Sequence, residues 1–295
     1  MRGMPGSLEE IMAKLNRPDQ VKKLNPMQAQ ALLAKRDPGE VTLLDVRQDW
    51  EYEEFHLPGA KLLPLDQLAD RLAEIPRDKP LLVYCRSGTR SAAAAALLAG
   101  QGFPDVSNIL GGVMAWTQPT AAGPADAGMH VLTGRESREE ILIAAYGMEQ
   151  NLAGFYRQQA KAAEDPHLSE TLAKLAGFEE KHKGLVYRLY KSLCPESIGP
   201  EEIAAKARGM AVEGGRDPGE VMASAGGLDN FPRVLELAMA FEAQALDLYL
   251  RCASQAQSDQ SRDLLRTLAR EEKRHLKVLG AKLKKPPLKE AQGVA

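Results

Sequence analysis

Four glutamates and two histidines in the second half of the chain recur at a fixed offset. Sliding the sequence by 93 residues places Glu149, Tyr156, Glu179 and His182 on Glu242, Tyr249, Glu272 and His275. Each copy supplies a lone Glu and, 30 residues later, a Glu-x-x-His. Residues three apart on a helix project from nearly one face, so Glu179 with His182, and Glu272 with His275, each bring a carboxylate and an imidazole to one point. Glu149 and Glu242 add one bridging or terminal carboxylate each. Set around the axis of four antiparallel helices, these six side chains can hold two metal ions. Mixed oxygen and imidazole ligation suits iron or manganese better than a thiolate-preferring metal. The adjacent Glu180 and Glu271 fall on Lys273 and Phe178 under the same shift, so the repeat itself selects the register. One Glu-x-x-His alone is a common pattern on a solvated helix face; two copies with matched partners are not. Leu175, Phe178 and Leu185, and Leu268, Leu276 and Leu279, lie around the same arcs and turn the six residues inward. Buried together, four carboxylates need a cation.

A second constellation surrounds Cys85, which follows the apolar run Leu81-Leu-Val-Tyr and opens the loop Cys85, Arg86, Ser87, Gly88, Thr89, Arg90 before an Ala-rich helix. A short loop ending on a helix N-terminus turns several backbone N–H groups and the positive end of the helix dipole toward the sulfur, which favours the thiolate and an attached sulfur anion. Arg86 and Arg90 add charge for an anionic donor such as thiosulfate. The competing reading is an inert cysteine at a strand end. Asp45 and Arg47 are expected to pin the loop after the first strand, and His56 to bond local backbone. Tyr156 and Tyr249, two turns beyond the lone glutamates, read equally as ligand-facing hydroxyls or core aromatics. Cys252 lies about 15 Å along its helix from Glu242 and is too far to ligate with it.

The elements that must carry these residues fall into two patterns. Val41–Val46, Leu81–Cys85 and Val106–Leu110 are short apolar runs of the kind that fill a buried parallel sheet, alternating with helix-like stretches at Pro26–Lys35, Asp66–Glu74 and Ser91–Gln101. The first 118 residues therefore read as an α/β domain. Residues 119–134, rich in Ala, Gly, Pro and Thr, have the composition of a linker. Residues 135–295 read as an all-α four-helix bundle. Ser137 with Glu140 forms a capping box for a helix to about Ala163; Ser169 is expected to cap a second, to Leu193. After a long Gly- and Pro-containing connection, Asn230-Phe-Pro starts the third, to about Ser254. Ser258 starts the fourth, which Pro286-Pro287 ends near Lys284. Arg-Asp-Pro-Gly-Glu-Val occurs at 36–41 and again at 216–221 and reads as shared turn chemistry.

Composition narrows the function classes. Among 295 residues the net charge is −2 with 26% charged, which gives no electrostatic case for nucleic acid. The first residues contain no apolar leader core and no segment is long enough to span a bilayer, so the expectation is a soluble cytoplasmic protein. Three cysteines, Cys85, Cys194 and Cys252, without a C-x-x-C pair argue against a disulfide framework and a four-thiolate metal site.

Residues 130–285 resemble the rubrerythrin branch of the ferritin-like superfamily. Ala-Tyr-Gly-Met-Glu149-Gln with Phe155-Tyr156, Phe-Glu179-Glu-Lys-His182, Ala-Phe-Glu242-Ala-Gln with Leu248-Tyr249, and Glu-Glu272-Lys-Arg-His275 are similar to its four ligand helices in order. The resemblance implies a ferritin-like bundle and a carboxylate-bridged site of two iron ions, with manganese as the other metal, reacting with peroxide or dioxygen. Ala245 stands where such proteins commonly carry an extra carboxylate, and the rubredoxin module that supplies their electrons has no counterpart here.

Residues 20–118 resemble the rhodanese family through Leu44-Asp45-Val-Arg47, Glu54-Phe-His56-Leu-Pro-Gly59-Ala60, the Cys85–Arg90 loop and Gly111-Gly-Val-Met-Ala-Trp116. This resemblance implies a persulfide on Cys85, taken from a small-molecule sulfur donor and passed to an acceptor nucleophile. Phosphatases of related fold use an Arg six positions after the Cys; Ser91 stands there, which places phosphoryl transfer second. The combined expectation is a two-domain sulfur and redox enzyme, in which the persulfide or an external electron donor stands in for the missing rubredoxin. Its rivals are an iron-binding or redox-sensing protein with the first domain as a docking or sulfur-carrying module, and a bundle that serves as a metal-free scaffold. Homodimerisation is compatible with such a bundle and is not decided by the exposed pattern.

Overall fold

The structure, a computed structural model, describes residues 21–196, 198–207, 212–215, 217, 228 and 230–283. The chain divides into two compact units, Met1–Ala127 and Gly128–Ala295. The expected turn at 216–221, apart from Asp217, the stop at Pro286-Pro287 and the first 20 residues lie outside the described residues.

In the first unit the elements run β1 (Val21–Leu24), α1 (Pro26–Lys35), β2 (Thr42–Asp45), α2 (Asp49–Glu54), β3 (Lys61–Leu62), β4 (Leu81–Tyr84), α3 (Thr89–Gly100) and β5 (Val106–Ile109). Short 3-10 turns occupy Leu72–Glu74 and Gly112–Ala115. The strands form one parallel sheet in the order β1-β5-β4-β2-β3. Side chains alternate across a strand, so Leu81, Val83 and Cys85 enter one apolar cluster with Ala94, Ala95 and Leu98 of α3. Leu82 and Tyr84 enter the cluster on the other face, with Ala29 of α1 and Tyr52 of α2. Covered on both faces, the central strands need apolar residues at nearly every position, which makes them legible as continuous runs.

One element differs from expectation. Asp66–Glu74 is a series of tight turns: Gln67, Leu68, Arg71 and Glu74 each donate their N–H to the carbonyl three residues back. Its last three residues, Leu72–Glu74, close as a 3-10 turn. The stretch 119–134 takes on packing of its own. Ala121 and His56 exchange backbone hydrogen bonds in the first unit, while Leu132 is fully buried in the core of the second.

The second unit contains α4 (Arg138–Ala162), α5 (Pro166–Leu193), α6 (Pro200–Lys206), α7 (Phe231–Gln255) and α8 (Asp259–Leu283). The Ser137–Glu140 capping box and the Asn230 cap form as the sequence suggests. The Ser258 hydroxyl accepts from Ser261 N–H at 3.0 Å at the start of α8. Helix α5 starts earlier than expected, because Asp165 caps it and Pro166 takes the first turn. Ser169 donates instead to the Ala160 carbonyl at 2.7 Å. Helix α4 packs along α5 and α7 along α8, giving two hairpins. None of the described helices is long and apolar enough to cross a membrane.

The bundle core is split in two. Residues 141–148 of α4, Val186 and Tyr190 of α5, Ala245–Ala256 of α7 and Leu264–Ala269 of α8 contribute to one apolar cluster. Leu152–Ala160, Leu168–Ala176, Val234–Phe241 and Leu279 contribute to the other. Between them, on every long helix, stands a buried glutamate. Removing the Ser137 hydroxyl (Ser137→Ala) is expected to cost about 1 kcal/mol, since one orphan N–H of α4 loses its acceptor. The measurement is the urea midpoint followed by circular dichroism; an unchanged midpoint would discount the cap.

Candidate active loop and candidate metal centre

Strand β4 delivers Cys85 to the carboxyl end of the sheet, and the chain returns immediately into α3. The turn needs Gly88, whose φ of +97° lies in the left-handed region. Cys85 is 1% exposed. Its sulfur accepts from Gly88 N–H at 3.1 Å and from the Ser91 hydroxyl at 3.4 Å. Burial pushes the Cys85 thiol up; hydrogen bonds from the Ser91 hydroxyl and from the N–H groups of Ser91, Gly88 and Ser87 outweigh it and leave the thiol below its ordinary range.

The loop is clamped from outside. Val113 N–H donates to Cys85 O at 2.8 Å and Met114 N–H to Arg86 O at 3.1 Å. Asn108 Nδ2 holds Gly88 O at 3.3 Å. Gly112, at φ +57°, lies so close that a Cβ there would stand 2.2 Å from Cys85 O. Asp45 and Arg47 form a fully buried pair, Arg47 Nη2 reaching Asp45 Oδ2 and Phe55 O, each at 2.7 Å. His56 stacks on Tyr52 at 3.6 Å between ring centroids, with Nδ1 2.8 Å from Tyr52 O. These three residues thus pin backbone, as their positions suggest.

The expected pair of loop cations is reduced to one. Arg86 is exposed and makes no side-chain ion pair among the described residues. Arg90 instead donates through both terminal nitrogens to Glu51, at 2.6 and 2.7 Å. Glu51 is 3% exposed, and its Oε2 also accepts from Gln48 N–H at 3.2 Å. That fork holds the Glu51 carboxyl below the usual range, against the opposing effect of burial. The sequence carries no spacing signal for Glu51 and marks Ser91 only as the position where related phosphatases carry Arg; the one local signal for Glu51 is its position three residues after Gln48, where a capping-box acid belongs.

In the bundle, Glu149, Glu179, Glu242 and Glu272 are each 2–3% exposed. They meet His182 and His275 in the layer between the two apolar clusters. His182 Nδ1 lies 2.9 Å from Glu179 Oε2 and 3.8 Å from Glu149 Oε2. His275 Nδ1 lies 3.0 Å from both Glu242 Oε2 and Glu272 Oε2. The two imidazoles stack at 3.5 Å with 6° between their planes. Potential ligand atoms of Glu149, Glu179 and His182 fall within 4.8 Å of one another, as do those of His182, Glu242 and His275. Burial lowers the His275 imidazole, but Glu272, Glu179 and Glu271 raise it further, to a net position above ordinary. The field in this layer is negative, and a cation suits it. Oxygen and imidazole donors in this proportion fit iron or manganese.

The other groups singled out by the sequence take different places. Glu180 turns outward and pairs with Lys183 at 2.7 Å, and Glu271 with Arg274 at 2.8 Å. Tyr156 and Tyr249 are buried, Tyr156 edge-on to Phe241. The Cys252 sulfur donates to Leu132 O, and burial pushes its thiol up to about 12. Burial likewise pushes the Cys194 thiol up, so Cys85 is the one of the three whose surroundings favour the thiolate. Its alkylation rate is expected to rise with pH through a midpoint below that of an ordinary cysteine, because the thiolate is the nucleophile. In Ser91→Ala the midpoint moves up, as one thiolate donor is lost; iodoacetamide kinetics across pH would expose an unshifted midpoint.

Comparison with known proteins matches the family model for the Rhodanese-like domain to residues 28–119 and that for Rubrerythrin to residues 140–212 and 233–291. A sulfurtransferase of Allochromatium vinosum is 40% identical over 82 residues, spanning 28% of this chain and 77% of that protein. The thiosulfate sulfurtransferase GlpE of Pseudomonas syringae is 44% identical over 95 residues, spanning 32% and 86%. A rhodanese-like domain protein from Staphylococcus aureus, of known structure, is 31% identical and matches 33% of this chain and 92% of its own, with a TM-score of 0.31. The chain belongs to the rhodanese-like family over its first part and to rubrerythrin over its second: it is a fusion of the two domains.

Proposed function

We propose that the chain is a sulfur and redox enzyme in which Cys85 carries sulfane sulfur and the bundle holds two iron ions for the reduction of peroxide or dioxygen. The convergence of N–H and O–H donors on a buried Cys85 sulfur carries the first half of this reading. The Cys85 thiolate attacks the outer sulfur of a donor. A new S–S bond forms, the donor's S–S bond breaks, and the donor remainder leaves with the electron pair, as sulfite when thiosulfate is used. Donors from Ser87, Gly88 and Ser91 then hold the persulfide, which an acceptor nucleophile cleaves to restore the thiolate. The names of the matched relatives support sulfur transfer.

The layer of four glutamates and two histidines supports the second half. Glu149, Glu179 and His182 would hold one ion, and Glu242, Glu272 and His275 the other. Bound iron would relay electrons to the oxidant from the Cys85 persulfide or an external donor; the chain would supply charge compensation and, through the apolar clusters on either side, exclusion of water. The Arg86–Arg90 loop and the bundle share one polypeptide, which raises the effective concentration of each for the other's products.

Two measurements check this reading. Metal content and optical spectrum are expected to show about two irons per chain in the wild type and a clear loss in the paired variant Glu179→Ala with His275→Ala; undiminished metal would remove the site assignment. Incubation with thiosulfate is expected to add one sulfur to the intact mass, and Cys85→Ser to abolish both that adduct and any thiosulfate-dependent peroxide consumption. Consumption that survives the substitution would separate the two activities.

A further inference from the structure

The Arg90–Glu51 fork has a consequence for which sulfur compounds the loop accepts. Both terminal nitrogens of Arg90 are committed to a buried carboxylate, and Glu51 is itself anchored by Gln48 N–H. Asp45 and Arg47 compensate each other in the same way nearby. Of the loop's two arginines only Arg86 stays exposed and outside an ion pair among the described residues, so the loop offers one uncompensated guanidinium to an incoming anion. Thiosulfate brings a dianion to a thiolate, whereas the persulfide of a small thiol brings a monoanion. Repulsion between attacking and donor sulfur is therefore greater for thiosulfate, and it needs more positive charge to offset it.

We propose that Glu51 determines donor specificity: by occupying Arg90 it favours low-molecular-weight persulfides over thiosulfate as the sulfur source for Cys85. The proposal rests on the sulfurtransferase reading. In the favoured reaction the Cys85 thiolate attacks the terminal sulfur of a thiol persulfide. The Cys85–sulfur bond forms, the donor S–S bond breaks, and the thiol remainder leaves as its thiolate with the electron pair, so no further oxidant or reductant is needed. Selection here works by withholding an attraction from the wrong donor.

The test uses the full chain, with the persulfide of 2-mercaptoethanol, which carries a single negative charge, and thiosulfate as donors and sulfur loading of Cys85 as the readout. Wild type is expected to show a kcat/KM for the 2-mercaptoethanol persulfide at least about tenfold above that for thiosulfate; a preference for thiosulfate overturns the proposal whatever any variant does. In Glu51→Gln, Arg90 is released, and the thiosulfate KM is expected to fall about fivefold or more while the persulfide KM stays within about twofold. Adding Arg90→Gln to that variant should cancel the gain. Equal changes for both donors in Glu51→Gln, as a merely structural role would give, also overturn it. Absence of any sulfur on wild-type Cys85 with either donor overturns the sulfurtransferase reading and this inference with it, whereas loading without the stated preference removes only the role of Glu51.

Discussion

Negative charge placed out of water must be compensated where it stands, and both units of this chain are organised around that requirement. The bundle buries four carboxylates in a single layer, and the first unit buries the Cys85 sulfur together with Asp45 and Glu51. The two solutions differ. Asp45 and Glu51 each receive one arginine, in geometry that uses the planar fork of the guanidinium. Cys85 receives backbone and hydroxyl donors, which leave the sulfur nucleophilic while stabilising its charge. The carboxylate layer has two imidazoles, and its remaining negative field is what a pair of metal cations would neutralise.

The apolar clusters follow from the same constraint. A layer of ligands can face inward only if the helices that carry it are held together above and below, because the layer itself contributes little hydrophobic burial. The bundle accordingly places one cluster on either side of the glutamates, with Met148 and Leu248 on one side and Leu152 and Phe241 on the other. The loop of the first unit is supported comparably, by Gly112, Val113 and Asn108 pressing on its carbonyls.

Much of this was legible in the sequence because it is periodic or local. The 93-residue repeat singled out the six residues that meet in the layer, and set Glu180 and Glu271 outside it. Long amphipathic helices with Ser and Asn caps, and apolar strands buried on both faces, carry their own signals. What escaped lacks such a pattern. Helix α2, Asp-Trp-Glu-Tyr-Glu-Glu, is short and acidic, and strands β1 and β3 sit at sheet edges with few apolar residues. The pairing of Glu51 with Arg90 joins residues 39 apart through the fold of the sheet, so no spacing announces it. Asp165 displaced Ser169 as a cap because a proline follows it, and proline is favoured in the first helical turn.

The split core also governs how such a chain can change length. One residue inserted within a long helix, between the ligand layer and either cluster, turns everything beyond it by about 100°. That rotation would carry a glutamate out of the layer or an apolar stripe into water. Each helix is therefore held to its count on both sides of the glutamate unless a local bulge absorbs the change, whereas the connections carry no such constraint. The constant offset between the two hairpins then records two counts held fixed by the same layer.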